Sequence, residues 1–157
     1  MHETERFLCE AITLAKDNLE GGGRPFGAVV VRDGAVVATG VNEILASGDP
    51  TAHAEMMALR AASRVLGSPS LAGCVVYASG HPCPMCLAAM RLTGVAQVYF
   101  AYSNDDAAPH GLSTAAIYAD LARPFAEQSM TIRYVPVRLQ SEPDLYAAWK
   151  RRQAGSA

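Results

Sequence analysis

Residues 74–93 read CVVYASGHPCPMCLAAMRLT, and this stretch decides the fold class. It begins with a short apolar run over residues 74–79 that predicts a buried strand. Residues 84–93 predict a helix, and proline suits its first turn because the missing N–H would have no partner there. Cys83 and Cys86 are three positions apart, so both thiols can reach one ion at the start of this helix.

Strands and helices alternate along the rest of the chain. Apolar side chains recur at helical spacing from Phe7 to Ala15, which predicts a first helix ending before Gly21. Asp33-Gly34 lies between two β-branched runs and predicts a hairpin. The remaining expected elements are helices over 51–66, 114–121 and 142–152, strands over 95–101 and 132–139, a loop over 102–110 and a frayed tail over 153–157. We therefore expect residues 1–157 to form one α/β domain, a three-layer α/β/α sandwich with a mixed sheet.

The bulk composition is that of a folded domain with a sizeable core. Half of the 157 residues are apolar, 18% are charged, and the formal net charge is -2. This balance argues against disorder and against a large phosphate-binding surface. The chain has no apolar run long enough for a membrane span, and its first residues lack a signal-peptide core, so we expect a cytoplasmic protein. Cys9 and Cys74 are expected to be small buried side chains.

A second motif, His53-Ala54-Glu55, supplies an imidazole and a carboxylate. We expect His53 just inside the helix over 51–66, with Asp49 or Thr51 as its cap. One imidazole and two thiolates can hold a zinc ion and leave its fourth position open, as in catalytic zinc sites. The sequence thus predicts one zinc per chain on His53, Cys83 and Cys86. Glu55 is not needed as a ligand and is free to move protons.

Two other interpretations of these motifs stay open at this point. A closed structural zinc site would require a fourth ligand elsewhere and would leave Glu55 without a role. A redox pair is the other use of a C-x-x-C motif, but no thioredoxin-like segment surrounds Cys83 and Cys86.

Three further residues are candidates for contact with a substrate. Asn42 ends the second hairpin strand and can hydrogen-bond a ring, or it can satisfy a local turn. Phe26 can stack on a ring or pack in the core. His81 can line the pocket or lie in a surface loop.

The H-x-E and P-C-x-x-C motifs together match the pattern of zinc-dependent deaminases. With Pro25–Val31 and Asp49–Glu55, they resemble the cytidine and deoxycytidylate deaminase superfamily, in its nucleobase, guanine deaminase-like branch. The resemblance implies a cytidine deaminase-like fold and one zinc-dependent deaminase domain. It also implies a hydrolase that acts on the C–N bonds of cyclic amidines, releases ammonia from a free nucleobase and belongs to purine metabolism. It assigns zinc to His53, Cys83 and Cys86, proton transfer to Glu55 and base contact to Asn42. Members are commonly homodimers, and some complete the site with a C-terminal segment.

This chain departs from the pattern at two places. His81 stands where the family usually has glutamate, and Ser113-Thr114 stand where guanine deaminases carry an Asp-Asp pair. Hydroxyls are weaker and more permissive partners than carboxylates. The ring could therefore be guanine, another aminopurine, a cytosine-type base or an aminotriazine. Asp105 or Asp106 could supply the missing carboxylate.

Two alternative functions remain. A tRNA adenosine deaminase shares the zinc motif, but it needs a phosphate-binding surface, and its family usually shows Leu-Glu-Pro-Cys-Val-Met-Cys. A catalytically silent binding or structural module would not need Glu55. We therefore expect a small-molecule substrate and neither nucleic acid nor membrane as a partner.

Overall fold

The computed structural model describes residues 1–140 and 143–156. It divides into two compact units, Met1–Asp120 and a second unit that begins at Leu121. The regular elements, in chain order, are α1 (Glu3–Glu20), β1 (Gly27–Arg32), β2 (Ala35–Val41), α2 (Ile44–Ser47), α3 (Ala54–Leu66), β3 (Cys74–Gly80), α4 (Pro84–Thr93), β4 (Gln97–Tyr102), α5 (Asn104–Ala107), α6 (Ala115–Leu121) and α7 (Leu145–Gly155). Short 3₁₀ turns cover Ala108–His110 and Phe125–Glu127.

Four strands form one mixed sheet in the order β2-β1-β3-β4. β1 is antiparallel to both β2 and β3, whereas β3 and β4 are parallel. The predicted hairpin is confirmed: Asp33 and Gly34 adopt φ values of 51° and 76° between β1 and β2. Positive φ at both turn residues matches the right-handed twist of the flanking strands.

Helices cover both faces of this sheet, which confirms the predicted three-layer sandwich. Val29 and Val31 of β1 pack with Phe7 of α1 on one face. Ala28 and Val30 point the other way, as alternate strand residues must. Their face carries the larger buried cluster, to which α3 and α4 contribute Ala54, Ala58, Leu59, Ala62, Cys86 and Met90.

The second unit differs from the prediction over residues 132–139, where no strand forms. The apolar side chains of Tyr134, Val135 and Val137 are exposed, so no buried face fixes a strand register. Pro136 also removes a ladder donor, and Val137 N–H bonds Val135 C=O in a tight turn.

Other elements shift by a few residues. The last helix begins at Leu145, because the Asp144 carboxylate caps it by accepting from Ala147 N–H at 2.9 Å. It runs through residues 153–155, which we had expected to fray; Ser141, Glu142 and Ala157 lie outside the described residues. The expected loop over 102–110 contains α5 and a 3₁₀ turn. No helix in the described part of the chain is long and apolar enough to cross a membrane.

The prediction for Cys9 was wrong, because its side chain is exposed. The buried stripe of α1 runs through Phe7, Ala11 and Ala15 at four-residue intervals. Cys9 lies two positions from that stripe and therefore on another side of the helix. Cys74 is fully buried at the start of β3, as predicted.

Candidate active site

The three expected zinc ligands converge where α3 and α4 begin. Cys83 is the N-cap residue of α4, with Pro84 in the first turn, and Cys86 lies inside that helix. His53 is the N-cap residue of α3. We expected His53 inside a helix that began at residue 51. Instead, the Asp49 carboxylate accepts from Thr51 N–H at 2.8 Å and from Thr51 Oγ1 at 2.7 Å, so this segment forms its own turn before the helix.

The ligand atoms have the spacing of a tetrahedral zinc site. His53 Nδ1 lies 3.4 Å from Cys83 Sγ and 3.7 Å from Cys86 Sγ, and the two sulfurs are 3.6 Å apart. Zinc bonds of about 2.3 Å to sulfur and about 2.0–2.1 Å to nitrogen place tetrahedral ligands about 3.5–3.8 Å apart. The donor set therefore fits one zinc ion with little rearrangement. No other group of three such donors lies together in the described residues.

The charges on the two thiols favour a cation at this point. A hydrogen bond from Cys86, helped by one from His53, lowers the pKa of Cys83 to about 4. The same hydrogen bond, together with burial, raises the pKa of Cys86. Of the two thiols, Cys83 therefore loses its proton the more readily, and deprotonated thiols are the form that binds a metal ion.

Glu55 lies two residues after His53, in the first turn of α3, and only 5% of its surface is exposed. Burial raises the pKa of its carboxyl group. Desolvation disfavours the charged form, so this carboxyl can hold a proton closer to neutral pH than a surface glutamate. That property suits a group that both takes up and releases protons.

One cavity of about 220 Å³ opens onto these groups. Its lining includes every expected site residue except Cys86, which is fully buried. The lining residues are Arg24, Phe26, Asn42, His53, Ala54, Glu55, His81, Cys83, Gly111, Leu112, Ser113 and Thr114. Asp105 and Asp106 are not among them; Asp106 accepts from Ser103 N–H at 2.8 Å and caps α5.

The amide of Asn42 is oriented by the backbone around it. Its Oδ1 accepts from Ile44 N–H at 3.1 Å, which leaves its Nδ2 as the free donor. Its own backbone N–H donates to Phe26 C=O at 3.2 Å. Asn42 is 5% exposed. Its side chain is therefore already held in place, and it loses little conformational freedom when its N–H donates to a ligand.

Aromatic side chains support the loop between β3 and α4. His81 packs 4.5 Å from the ring centre of Phe100 and 5.5 Å from that of Tyr118. The Tyr118 hydroxyl donates to Pro82 C=O. Tyr118 therefore holds the segment that carries Cys83, a role that sequence spacing does not reveal because α6 lies far along the chain.

Comparison with known proteins agrees with this site. A family model described as "Cytidine and deoxycytidylate deaminase zinc-binding region" matches residues 1–102. The chain belongs to this deaminase family. Its cofactor is zinc, and the side chains of His53, Cys83 and Cys86 are placed so that they could hold the ion. The protein is a hydrolase that acts on C–N bonds of cyclic amidines.

Proteins similar to this deaminase include a guanine deaminase and a tRNA-specific adenosine deaminase. A guanine deaminase of Bacillus subtilis is 43% identical over 150 residues, covering 95% of this chain and 94% of that protein. Its X-ray structure superposes with a TM-score of 0.82 at 41% identity, covering 94% and 93% of the two chains. A tRNA-specific adenosine deaminase of Aquifex aeolicus is 33% identical over 138 residues, covering 88% of this chain and 89% of that protein.

The deaminase cavity carries neutral hydroxyls at Ser113 and Thr114. Ser113 Oγ accepts from Ala115 N–H at 3.2 Å, so its own proton is free to be donated. Thr114 donates to Asn104 Oδ1 from its backbone N–H at 3.1 Å and from its hydroxyl at 3.5 Å. Asn104 thus positions Thr114 and does not itself line the cavity.

Proposed function

We propose that this deaminase acts on free guanine, converting guanine and water into xanthine and ammonia, and so belongs to purine metabolism. The observation that carries this proposal is the cavity of about 220 Å³ that joins two of the expected ligands, His53 and Cys83, to Glu55 and Asn42. It is smaller than the about 300–1,000 Å³ of cavities for drug-sized ligands, and therefore suits a single base. The near full-length similarity to a guanine deaminase supports the choice of ring.

In this reaction, three residues would bind the metal ion and Glu55 would transfer protons. His53, Cys83 and Cys86 would hold a zinc ion, which would act as a Lewis acid and make a bound water molecule nucleophilic at neutral pH. Glu55 accepts the proton of the attacking water and passes it to the adjacent ring nitrogen. The same carboxylate then delivers the second proton to the departing amine, so that ammonia leaves and the ring keeps a carbonyl.

Binding is assigned to the other lining residues. Phe26 offers a ring face for stacking, and its own position is set by Gly80, where a Cβ atom would lie 3.3 Å from the Phe26 ring. Asn42 donates from Nδ2 to a ring acceptor. His81 forms part of the cavity wall.

A tRNA adenosine deaminase is the second candidate, favoured by the relative from Aquifex aeolicus. The net charge of -2 gives little support for a phosphate-binding surface. We therefore propose a small-molecule substrate and no nucleic-acid partner.

Ammonia release from zinc-loaded protein tests these functions. The substrates are guanine, adenine, cytosine, isocytosine, an aminotriazine, free nucleosides and tRNA. Turnover of guanine, with xanthine as the product, is the expected result. Inosine formation in tRNA without turnover of free bases would establish the second candidate. Absence of ammonia from every substrate would identify a silent module.

We also propose a cytoplasmic homodimer. β4 is the last strand of the sheet, and Tyr99, Phe100 and Tyr102 are 37%, 40% and 56% exposed along it. Within the described residues, no strand pairs with the outer edge of β4, and exposed aromatic side chains at such an edge favour association with another chain. Sedimentation should give twice the chain mass, and Tyr102→Glu should shift the protein towards monomer; a monomeric wild-type protein would contradict the proposal.

A further inference from the structure

Arg24 brings an unpaired positive charge to the cavity. Its side chain lines the site beside Phe26. Within the described residues, its guanidinium makes no hydrogen bond or ion pair with the protein. A guanidinium carries five N–H donors in a planar fork and cannot lose its charge near neutral pH. This fork is therefore available to a bound ring.

The backbone that carries Arg24 is held in place. Asn18 Nδ2 donates to Arg24 C=O at 2.7 Å and to Asn42 C=O at 2.9 Å, so one amide links both segments. Phe26 N–H donates to the same Arg24 carbonyl at 2.9 Å. Gly23 makes room for this link, because a Cβ atom there would lie 2.6 Å from Asn18 Nδ2.

Donors outnumber charged acceptors among the groups that face the cavity. Arg24 and the Nδ2 of Asn42 offer donors, and Ser113 retains a free hydroxyl proton. The one carboxylate in the lining is Glu55, which lies beside the zinc ligands. A ring whose remaining edge carries acceptors would pair with these donors, whereas an amino group that faced Arg24 or Asn42 Nδ2 would meet another donor.

We propose that Arg24 determines specificity at this site by donating to the oxo and ring-nitrogen acceptors of the base. The inference rests on the proposed function and makes rings that carry an oxo group, in addition to the reacting amine, the preferred substrates. In guanine, O6 and N7 lie on the side of the purine away from the amine at C2. A guanidinium pairs with these two acceptors in a bidentate geometry. In 2,6-diaminopurine an amino donor replaces O6, and the arginine fork loses that partner.

Steady-state kinetics on guanine and 2,6-diaminopurine test this role, with the products separated by chromatography. We expect the wild-type enzyme to prefer guanine in kcat/KM. Arg24→Ala should lower the ratio of the two kcat/KM values about tenfold or more, because a charge-assisted hydrogen bond is lost. Arg24→Lys should recover part of the ratio. If Arg24→Ala left the ratio of the two kcat/KM values unchanged, including by lowering both equally, the inference would be overturned.

Arg32→Ala is the matched control, because Arg32 is an exposed arginine at the opposite end of β1. It should leave the ratio unchanged. Zinc content and thermal melting of each variant separate a specificity effect from a folding defect.

A binding measurement separates this inference from the proposed function. Hypoxanthine and adenine differ by oxo and amino at C6, and neither has an amine at C2. Calorimetry on the zinc-loaded Glu55→Gln protein should show tighter binding of hypoxanthine, and adding Arg24→Ala should remove the preference. Lack of turnover of guanine would refute the proposed function alone, whereas lack of this binding preference would refute the role of Arg24.

Discussion

Gly40 lies directly against the backbone of Ala54: a Cβ atom on Gly40 would sit 2.4 Å from the Ala54 carbonyl oxygen. The same atom would lie 2.5 Å from Ala58 N. Because Ala54 separates His53 from Glu55, this contact between β2 and α3 sets how close one zinc ligand and the carboxylate come to the sheet. Both neighbours are backbone atoms, so neither can rotate away as a side chain would.

Gly40→Ala should therefore displace α3, lowering zinc affinity and activity together. We expect a destabilisation of about 1–3 kcal/mol, the usual cost of overpacking a well-packed core. Urea unfolding, zinc titration and ammonia release measure the three effects. Gly155→Ala is the control: a Cβ there meets no atom within 4 Å, and alanine is the better helix former at the end of α7, so this variant should be no less stable than the wild-type protein. Wild-type zinc affinity in Gly40→Ala would show that the contact does not position His53.

Cys83→Ala should lose zinc at concentrations that saturate the wild-type protein. It removes one of three ligands and the thiol whose lowered pKa makes it the readier thiolate. Metal analysis after dialysis measures the occupancy. Cys9→Ala, which changes an exposed cysteine of α1, should retain zinc. Full occupancy in Cys83→Ala would contradict the ligand assignment.

Residues that mark helix ends and tight turns correctly predicted the elements that these residues bound. α4 spans residues 84–93 as expected, because proline at its start and glycine at its C-cap mark both ends. The Asp33-Gly34 turn formed for the same kind of reason. The strand expected over 132–139 did not form, because a strand requires a partner that an alternating pattern cannot supply.

The metal-binding residues of the site were predictable because short motifs contain them. His53, Cys83 and Cys86 were predicted by type and spacing, although His53 proved to cap α3 and not to lie inside it. Arg24 and Tyr118 were missed as site residues because neither belongs to a metal-binding motif, and Arg24 lies just outside the Pro25–Val31 segment. Only the fold brings them to the cavity wall and to Pro82, respectively.

Glu55→Gln should keep the zinc and the fold but lose most turnover. Glutamine retains the shape of the side chain and cannot carry the proton, and acid–base terms are typically worth about a hundredfold or more. Single-turnover ammonia release on protein of verified zinc content measures the effect. Glu20→Gln is the control, since Glu20 is an exposed partner of Lys16 at 3.7 Å. Near-normal ammonia release by zinc-loaded Glu55→Gln would rule out the proton-transfer role.

The neutral pair Ser113-Thr114 should give this enzyme a broader base preference than a strict guanine deaminase. A hydrogen bond to a charged group contributes roughly 1.5–3 kcal/mol, against about 1 kcal/mol for a neutral one. Loss of a carboxylate partner thus weakens discrimination between rings. We expect turnover of at least one further amino-substituted ring among cytosine, isocytosine, adenine and an aminotriazine. Ser113→Asp and Thr114→Asp should narrow the preference.

Steady-state rates on the same panel decide where the base is recognised. Asp105→Ala should leave the relative rates unchanged, because Asp105 does not line the cavity. The same expectation holds for Asp106→Ala once its stability is checked, since Asp106 caps α5. Exclusive turnover of guanine by the wild-type enzyme, together with loss of that turnover in either alanine variant, would place an acidic recognition residue in α5. In that case Ser113 and Thr114 would be wall residues without influence on the choice of ring.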